Sequence, residues 1–468
     1  MSMEIHPQTK YAYDLMHAGT LALARAEQQG IRIDIDYCEE TKRELTEQIN
    51  ELENQFKETK FYRAWAHSFN RQAPNIYSNA QLSTYLYKVK KLEPVGLTYS
   101  GQGATDEEAL TQLNIPELDT LLHIRKLKKM RDTYLDAFLR EQVGGYLHPS
   151  FNLHLVKTFR SSSDRPNFQN IPKRDTEAML ATRKALFPRP GHQLMEVDYS
   201  GIEVRIAACY HKDPTMLKYI RDPNSDMHGD MAKQIFMVDD FDRSKSEYKV
   251  LRQAAKNGFV FPQFYGDYYK NCAKNMACKW GKLPDGKWKK GQGIPMPSGF
   301  LSDHLLEKGI RSLDQFTEHL KEIERDFWAN RFPVYQSWKD RWWRDYQKNG
   351  YVDLLSGFRC GGVMLRNDTT NYPVQGVAFH CLLWSLTVID KVMLQEKWYT
   401  RIIGQIHDSI VLDVNPAELN HVATTVHKIM CKDLVAHWSW IIVPMDIEID
   451  LGQVDESWAT IKSVDLLK

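Results

Sequence analysis

The chain reads as an α+β protein in which helices fill the first third and the middle, and strands gather in two separated stretches. Two local signals carry that reading. The run 193–198 is strand-like and stops at a helix start, and the alternating runs 401–406 and 409–414 flank a two-residue turn. The third signal is bulk: 468 residues with 43% hydrophobic and 26% charged content give an ordinary globular composition, enough for about two to four domains.

Taken in order, 11–30 and 37–60 predict helices, the second with Leu45, Ile49, Leu52 and Phe56 on one face. There are too few heptads for a coiled coil, so this helix is expected to pack on a neighbour. Between them, 30–36 alternates like a short strand or extended connector. Helical patterns return at 80–90 and 117–141. After the strand 193–198, Ser200 and Glu203 fit a Ser-x-x-Glu capping box, predicting a helix whose start is closed by that pair. From 226 to 335 the chain is helical, interrupted at 279–298 by Lys, Trp, Gly and Pro that predict a loop. Helices follow at 332–348 and 373–396, then a hairpin turning at His407 and Asp408. A helix at 416–435 and a last strand at 443–451 close the chain.

Lys and Arg total 61 against 60 Asp and Glu, so the net charge of +1 points to no particular partner. Locally, 251–300 holds nine basic residues against Asp267 and Asp285, and Arg125, Lys126, Lys128, Lys129 and Arg131 form a second basic run. Each run alone is most simply a solvated face. Seven scattered cysteines lack the close pairs of a zinc site; Cys272 and Cys278 are near each other but have no His or Cys companions. Reduced thiols in a cytosolic setting are expected. The N-terminus has no apolar run for a signal peptide, and the apolar stretch 376–389 is too short to span a bilayer. The expectation is a cytoplasmic protein (host-cell cytoplasm if phage-encoded) with no membrane partner.

Three segments carry chemistry: Asp198-Tyr-Ser-Gly-Ile-Glu203, Arg252-x3-Lys256 leading to Tyr265-Gly266, and Gln405-Ile-His-Asp408. Singly, an aspartate ending a strand is a turn or cap residue, and a helical Arg and Lys four apart are a solvated pair. Together and in this order they resemble motifs A, B and C of family A (DNA polymerase I-like) DNA polymerases, phage-type or bacterial. The segment 160–172, Arg-Ser-Ser-Ser-Asp-Arg-Pro-Asn-Phe-Gln-Asn-Ile-Pro, and Asn371-Tyr-Pro-Val-Gln-Gly376 are also similar to segments of that family, as is the helical N-terminal third. The resemblance extends over essentially the whole chain.

It implies a right-hand fold: a helical thumb in 1–150 with an N-terminal connection to the palm, an antiparallel-sheet palm in 151–225 and 336–468, and helical fingers in 226–335. It implies template-directed DNA synthesis from primer-template DNA and deoxynucleoside triphosphates. Two Mg2+ ions, for which Mn2+ can substitute, would be held by Asp198, Asp408 and the Tyr199 carbonyl. Such a pair, roughly 3.5 to 4 Å apart, activates the primer hydroxyl and neutralises the leaving pyrophosphate. Arg252, Lys256 and His228 would meet the triphosphate, with Lys256 also the general acid. Glu203 would exclude a ribose 2′ hydroxyl, in addition to its capping role. Arg160, Asn167, Gln169, Asn170, Asn371, Gln375 and His407 would line the minor groove, where purine N3 and pyrimidine O2 are acceptors common to every correct pair.

Three departures from the family pattern shape further expectations. Tyr265 lies nine residues after Lys256 rather than eight, so with Pro262 the helix should kink or bulge. Phe261 keeps the aromatic-x3-Tyr spacing and is the expected nucleotide-stacking residue, ahead of Phe259. Ser409 stands where relatives usually carry Glu; His-Asp-Ser also occurs in single-subunit phage-type RNA polymerases, the alternative reading, against which Glu203 and the 160–172 segment argue. A nuclease is the weaker rival, on Asp-x-Glu at 106–108 and 446–448, the first of which suits a helix start. Only ten residues precede residue 11, so a 3′-5′ exonuclease is expected on a separate polypeptide or removed by truncation. A monomer working with replisome proteins is the expected assembly.

Overall fold

Strand β1 (Gln193–Tyr199) is the spine of the molecule, flanked on both sides by strands from far down the chain. The structure is a computed structural model describing residues 7–466 apart from 70–71, 95, 99, 174, 240, 243, 279–286, 289 and 297–298. Its central sheet has the order β2-β3-β1-β4-β5, where β2 is Arg401–Ile406, β3 Ser409–Val414, β4 Ile447–Leu451 and β5 Lys462–Val464. All neighbours are antiparallel, and register sets Asp198 opposite Ser409 on one side and Glu448 on the other. Every β1 residue except Asp198 is buried. The last strand is shorter than the expected 443–451, and β5 was not foreseen.

The hairpin β2-β3 turns at His407-Asp408 as expected, with His407 at φ 51°. A bulge interrupts β2 between Ile402 and Gly404, and a Cβ at Gly404 would lie 2.3 Å from the Phe168 ring. Only glycine lets that strand and ring pack.

A 31-residue helix, Arg366–Glu396, supports the sheet and starts seven residues before the expected 373. Pro373 is therefore inside it rather than at its first turn. Proline has no N–H for the carbonyl four residues back, which is Thr369 O. That carbonyl is taken instead by the Trp342 indole, which donates to it at 2.7 Å. The helix is long and apolar enough to cross a bilayer, yet 67% of its most apolar stretch is buried inside the protein. The N-terminal helix Pro7–Gln29 packs on it and on β2; Gly19 meets Leu383, and Arg25 pairs with Asp390.

The first third is helical as expected, with one break missed. Thr59 ends the helix Ile35–Glu58 and caps a second, Lys60–Ser68, by accepting from Tyr62 N at 3.1 Å. Cys38, Leu45, Ile49 and Phe56 are the buried face of the first, which packs on the helix Pro116–Lys129 and its continuation through a π turn to Glu141.

In the middle region, the helix Ser246–Ala255 passes into a π turn at Lys256–Val260 and resumes as Phe261–Phe264. The extra residue is absorbed as a bulge, since a π turn holds one residue more than an α turn. Pro262 then falls in the first turn of the resumed helix, where its missing N–H is tolerated. The expected loop 279–298 lies partly outside the described residues. Its described part is structured: Pro295–Met296 pairs with Gly299–Phe300, and Trp288 is buried against Phe316.

Candidate active site

Asp198 and Asp408 reach the floor of one cleft because β1 and the β2-β3 turn are adjacent. The Tyr199 amide donates to Asp408 O at 3.2 Å, tying the two segments at the backbone. The Tyr199 hydroxyl is committed beneath the sheet to Ser385 Oγ (2.8 Å) and Met430 O (3.1 Å), so only its backbone is available to the cleft. Burial, then the Asp408 carboxylate, push Asp198 up to about 7. Its Oδ1 is buried with no hydrogen-bond partner. A carboxylate oxygen left orphaned beside a second carboxylate fits a bound cation.

The cleft has a volume of about 1820 Å³ and gathers Asp198, Tyr199, Glu203, Lys256, Phe261, Tyr265, Gln169, Asn170, Asn371, His407 and Asp408. Arg160, Asn167, His228, Arg252 and Gln375 are not among its lining residues. Two of these, His228 and Arg160, touch a lining side chain, and Arg252 is held next to the His228 helix. The Phe261 ring meets the His228 ring edge-on at 5.8 Å, and the Lys256 ammonium lies 5.0 Å over the same ring. Arg252 grips Asp226, which precedes the His228 helix, through Nε at 3.0 and 2.9 Å. Burial, then Arg252 and Lys256, press His228 down to about 4, so it is neutral at pH 7; its Nδ1 is buried without a partner. Arg160 approaches Glu203 at 3.8 Å. Asn167 is exposed, and Gln375 follows Asn371 by one helical turn. Phe259 is fully buried, which leaves Phe261 as the aromatic of this pair that faces the cleft.

The capping box is a correction. The helix after β1 is Ile202–His211, its cap is Gly201 at φ 60°, and no side chain closes it. Glycine takes the left-handed turn that follows the strand, shifting the helix start one residue past the expected register. Ser200 Oγ instead donates to Glu448 (3.2 Å). Glu203 is thereby freed to accept from the Tyr265 hydroxyl, and burial and that carboxylate raise the tyrosine's pKa. Asn371 Nδ2 donates to Tyr265 O (3.1 Å), fixing the helix end from below. Gln169 Nε2 donates to Gln405 Oε1 (2.8 Å), and Gln405 Nε2 to His407 O (2.6 Å), which braces the turn bearing Asp408.

The basic run 125–131 is not a bare stripe. Arg125 donates to Thr105 O, Lys126 pairs with Asp175 and Glu177, and Lys128 and Arg131 both pair with Asp132. Asp106 caps the helix Glu107–Gln112, so the first Asp-x-Glu is a helix start. The second places Glu448 beside Asp198 in the same cleft.

Sequence reasoning missed Lys173 and Glu196. Glu196 is buried on the Asp198 face of β1, held by Lys173 Nζ at 2.9 Å, Arg183 at 3.4 Å and the Ser409 hydroxyl at 3.3 Å. Burial works to raise its pKa, but Lys173 and Arg183 outweigh it and hold it low. The available signal was two acids two apart in an otherwise apolar strand, which share a face.

A five-stranded antiparallel sheet floored by two aspartates, walled by helices on either side, is the right-hand fold of a polymerase. The structure is similar, at TM-score 0.73 and 22% identity, to the POL domain of Pol1 from M. smegmatis in complex with DNA primer-template and dNTP, covering 95% of this chain and 70% of that one. Residues 35–282 and 317–460 match the model of DNA polymerase family A, and the chain belongs to that family. It is 26% identical to DNA polymerase I of Synechocystis sp. over 450 residues, 92% of this chain and 41% of that protein. It is 27% identical to the thermostable DNA polymerase I of Thermus thermophilus, over 94% of this chain and 47% of that protein. The chain thus spans less than half the length of these relatives.

Proposed function

We propose that the chain extends a DNA primer by template-directed addition of deoxynucleotides, with 1–150 as thumb, 151–225 and 336–468 as palm, and 226–335 as fingers. The observation that carries the reading is the juxtaposition of Asp198 and Asp408 with an orphaned Asp198 Oδ1. Family A polymerases are metal-dependent, and the proposal specifies two Mg2+, held by Asp198, Asp408 and the Tyr199 carbonyl. Bound there, they would supply activation of the primer 3′ hydroxyl and neutralisation of charge on the pyrophosphate.

The rest of the work falls to side chains. Lys256 and Arg252, one helical turn apart, meet the triphosphate, and Lys256 Nζ donates a proton to the departing pyrophosphate. Neutral His228 contacts the phosphates by hydrogen bonding rather than charge. Phe261 stacks on the incoming base. Glu203, fixed by Tyr265, fills the space a 2′ hydroxyl would need. Arg160, Asn167, Gln169, Asn170, Asn371, Gln375 and His407 supply donors along the minor groove, sensing pair geometry without reading sequence.

Primer extension in magnesium with deoxy- and ribonucleotides tests this. Wild type is expected to extend with deoxynucleotides and Asp408→Ala to lose at least about a thousandfold in rate. Extension that persists in the variant refutes the mechanism.

A further inference from the structure

The sheet beneath the cleft carries more negative charge than two metal ligands explain. On one face of β1 and β4 stand Glu196, Asp198, Glu448 and Asp450, with register setting Glu448 opposite Asp198 and Asp450 opposite Glu196. Lys173 Nζ answers this cluster: it lies 2.9 Å from Glu196, 3.9 Å from Asp198 Oδ2 and 3.9 Å from Asp450. Its shortest contact is to Glu196, not to Asp198. Glu196 is 2% exposed and cannot follow a moving partner, because Arg183 holds it too and the Ser409 hydroxyl, shared between Ile406 O at 3.0 Å and Glu196 at 3.3 Å, packs beside it. The arrangement depends on Ser409. A larger acidic side chain there, directly opposite Asp198, would crowd the Glu196 carboxylate that the serine hydroxyl reaches at 3.3 Å.

Resting on the polymerase reading, we propose that Lys173 is a positioning residue: an ammonium tethered by Glu196 that partly neutralises Asp198 before a divalent cation binds, and that sets the affinity of the cleft for that cation. The tether matters for the sign. An ammonium at 3.9 Å lowers the cleft's negative potential without occupying the position of a ligand, so it weakens cation binding while keeping the carboxylates compatible in the empty site. Released from Glu196, the same ammonium would move onto Asp198 and compete directly.

The test is Mn2+ binding to the nucleotide-free full chain, followed by electron paramagnetic resonance of the free ion. Lys173→Met is expected to tighten Mn2+ at least threefold and to enlarge the rise in Tm that Mn2+ produces, since binding to the folded state stabilises it. Lys173→Arg is expected to keep wild-type affinity. Glu196→Gln is expected to loosen Mn2+ at least threefold, and much less so when Lys173 is already Met. Unchanged or weaker binding in Lys173→Met overturns the proposal, as does a Glu196→Gln effect undiminished in the double variant. Lys173 is half-exposed, so its variants remain informative even where Glu196→Gln misfolds. Asp408→Ala separates the two readings. If wild-type binding does not depend on Asp408, the two-metal reading fails and this inference falls with it. If it does, and Lys173→Met changes nothing, only the inference fails.

Discussion

Glu203 is held from two sides, by the Tyr265 hydroxyl and by Arg160 at 3.8 Å, and this fixes where its carboxylate stands over the cleft. A gate that works by occupying space must be held in this way, because a free glutamate would swing aside at little cost. Glu203→Ala is expected to raise the ribonucleotide share of incorporation at least about tenfold, read as the ratio of kcat/KM for the two sugars. Tyr265→Phe should shift the ratio less, since Arg160 still holds the carboxylate. An unaltered ratio in Glu203→Ala would place the gate elsewhere. The two phenylalanines separate by burial. Phe261→Ala is expected to raise KM for the nucleotide by about 5- to 100-fold through lost stacking. Phe259→Ala, by emptying a fully buried site, is expected to cost about 3–5 kcal/mol of stability in chemical denaturation.

At the scale of elements, two prolines sit in helices that the chain repairs differently. In the helix bearing Lys256 a π turn widens the backbone so that Pro262 starts a new α segment. In Arg366–Glu396 the helix continues unbroken past Pro373, and Trp342 satisfies the carbonyl left over. Trp342→Phe keeps a ring but removes the indole N–H, orphaning the buried Thr369 carbonyl. The expected loss is about 1–3 kcal/mol, measured as a lower denaturation midpoint. The same helix crosses the 158–161 segment at Gly376, where a Cβ would lie 2.5 Å from Thr158 O. Backbone cannot yield as a side chain can, so Gly376→Ala is expected to lower Tm and to displace Asn371 and Gln375 together.

Among the described residues of the whole molecule, His211 and His380 are buried and His228 is partly buried, all three in their neutral form. Burial presses His211 and His380 down to about 3, and burial with Arg252 and Lys256 presses His228 to about 4. In the unfolded chain the same residues take up protons near about pH 6.5. Between those values the unfolded state binds more protons, so stability is full above about pH 6.5 and falls as pH drops toward 4. Tm measured from pH 7.5 to 4.5 should fall accordingly. His380, stacked on Phe358 at 3.9 Å, is the residue to replace: His380→Phe should flatten the slope.

The placement of the candidate site was legible because it is written in local order. Asp198 ends a strand, Asp408 turns a hairpin, and Arg252 and Lys256 share a helix face, each a short-range pattern set by backbone period and turn geometry. Matching motifs in sequence order then named the family. The start of the helix after β1 was misread for a local reason: Ser200 and Glu203 fit a capping box, but Gly201 supplies the turn and Ser200 is drawn away to Glu448. Lys173 and Glu196 could not be joined from sequence at all. They lie 23 residues apart, and a strand's alternation shows which face a side chain takes but not what crosses to meet it. Strand register decided that Glu196 and Ser409 lie side by side next to Asp198, because antiparallel pairing brings together residues that no sequence window contains, and the loop carrying Lys173 then closes over them.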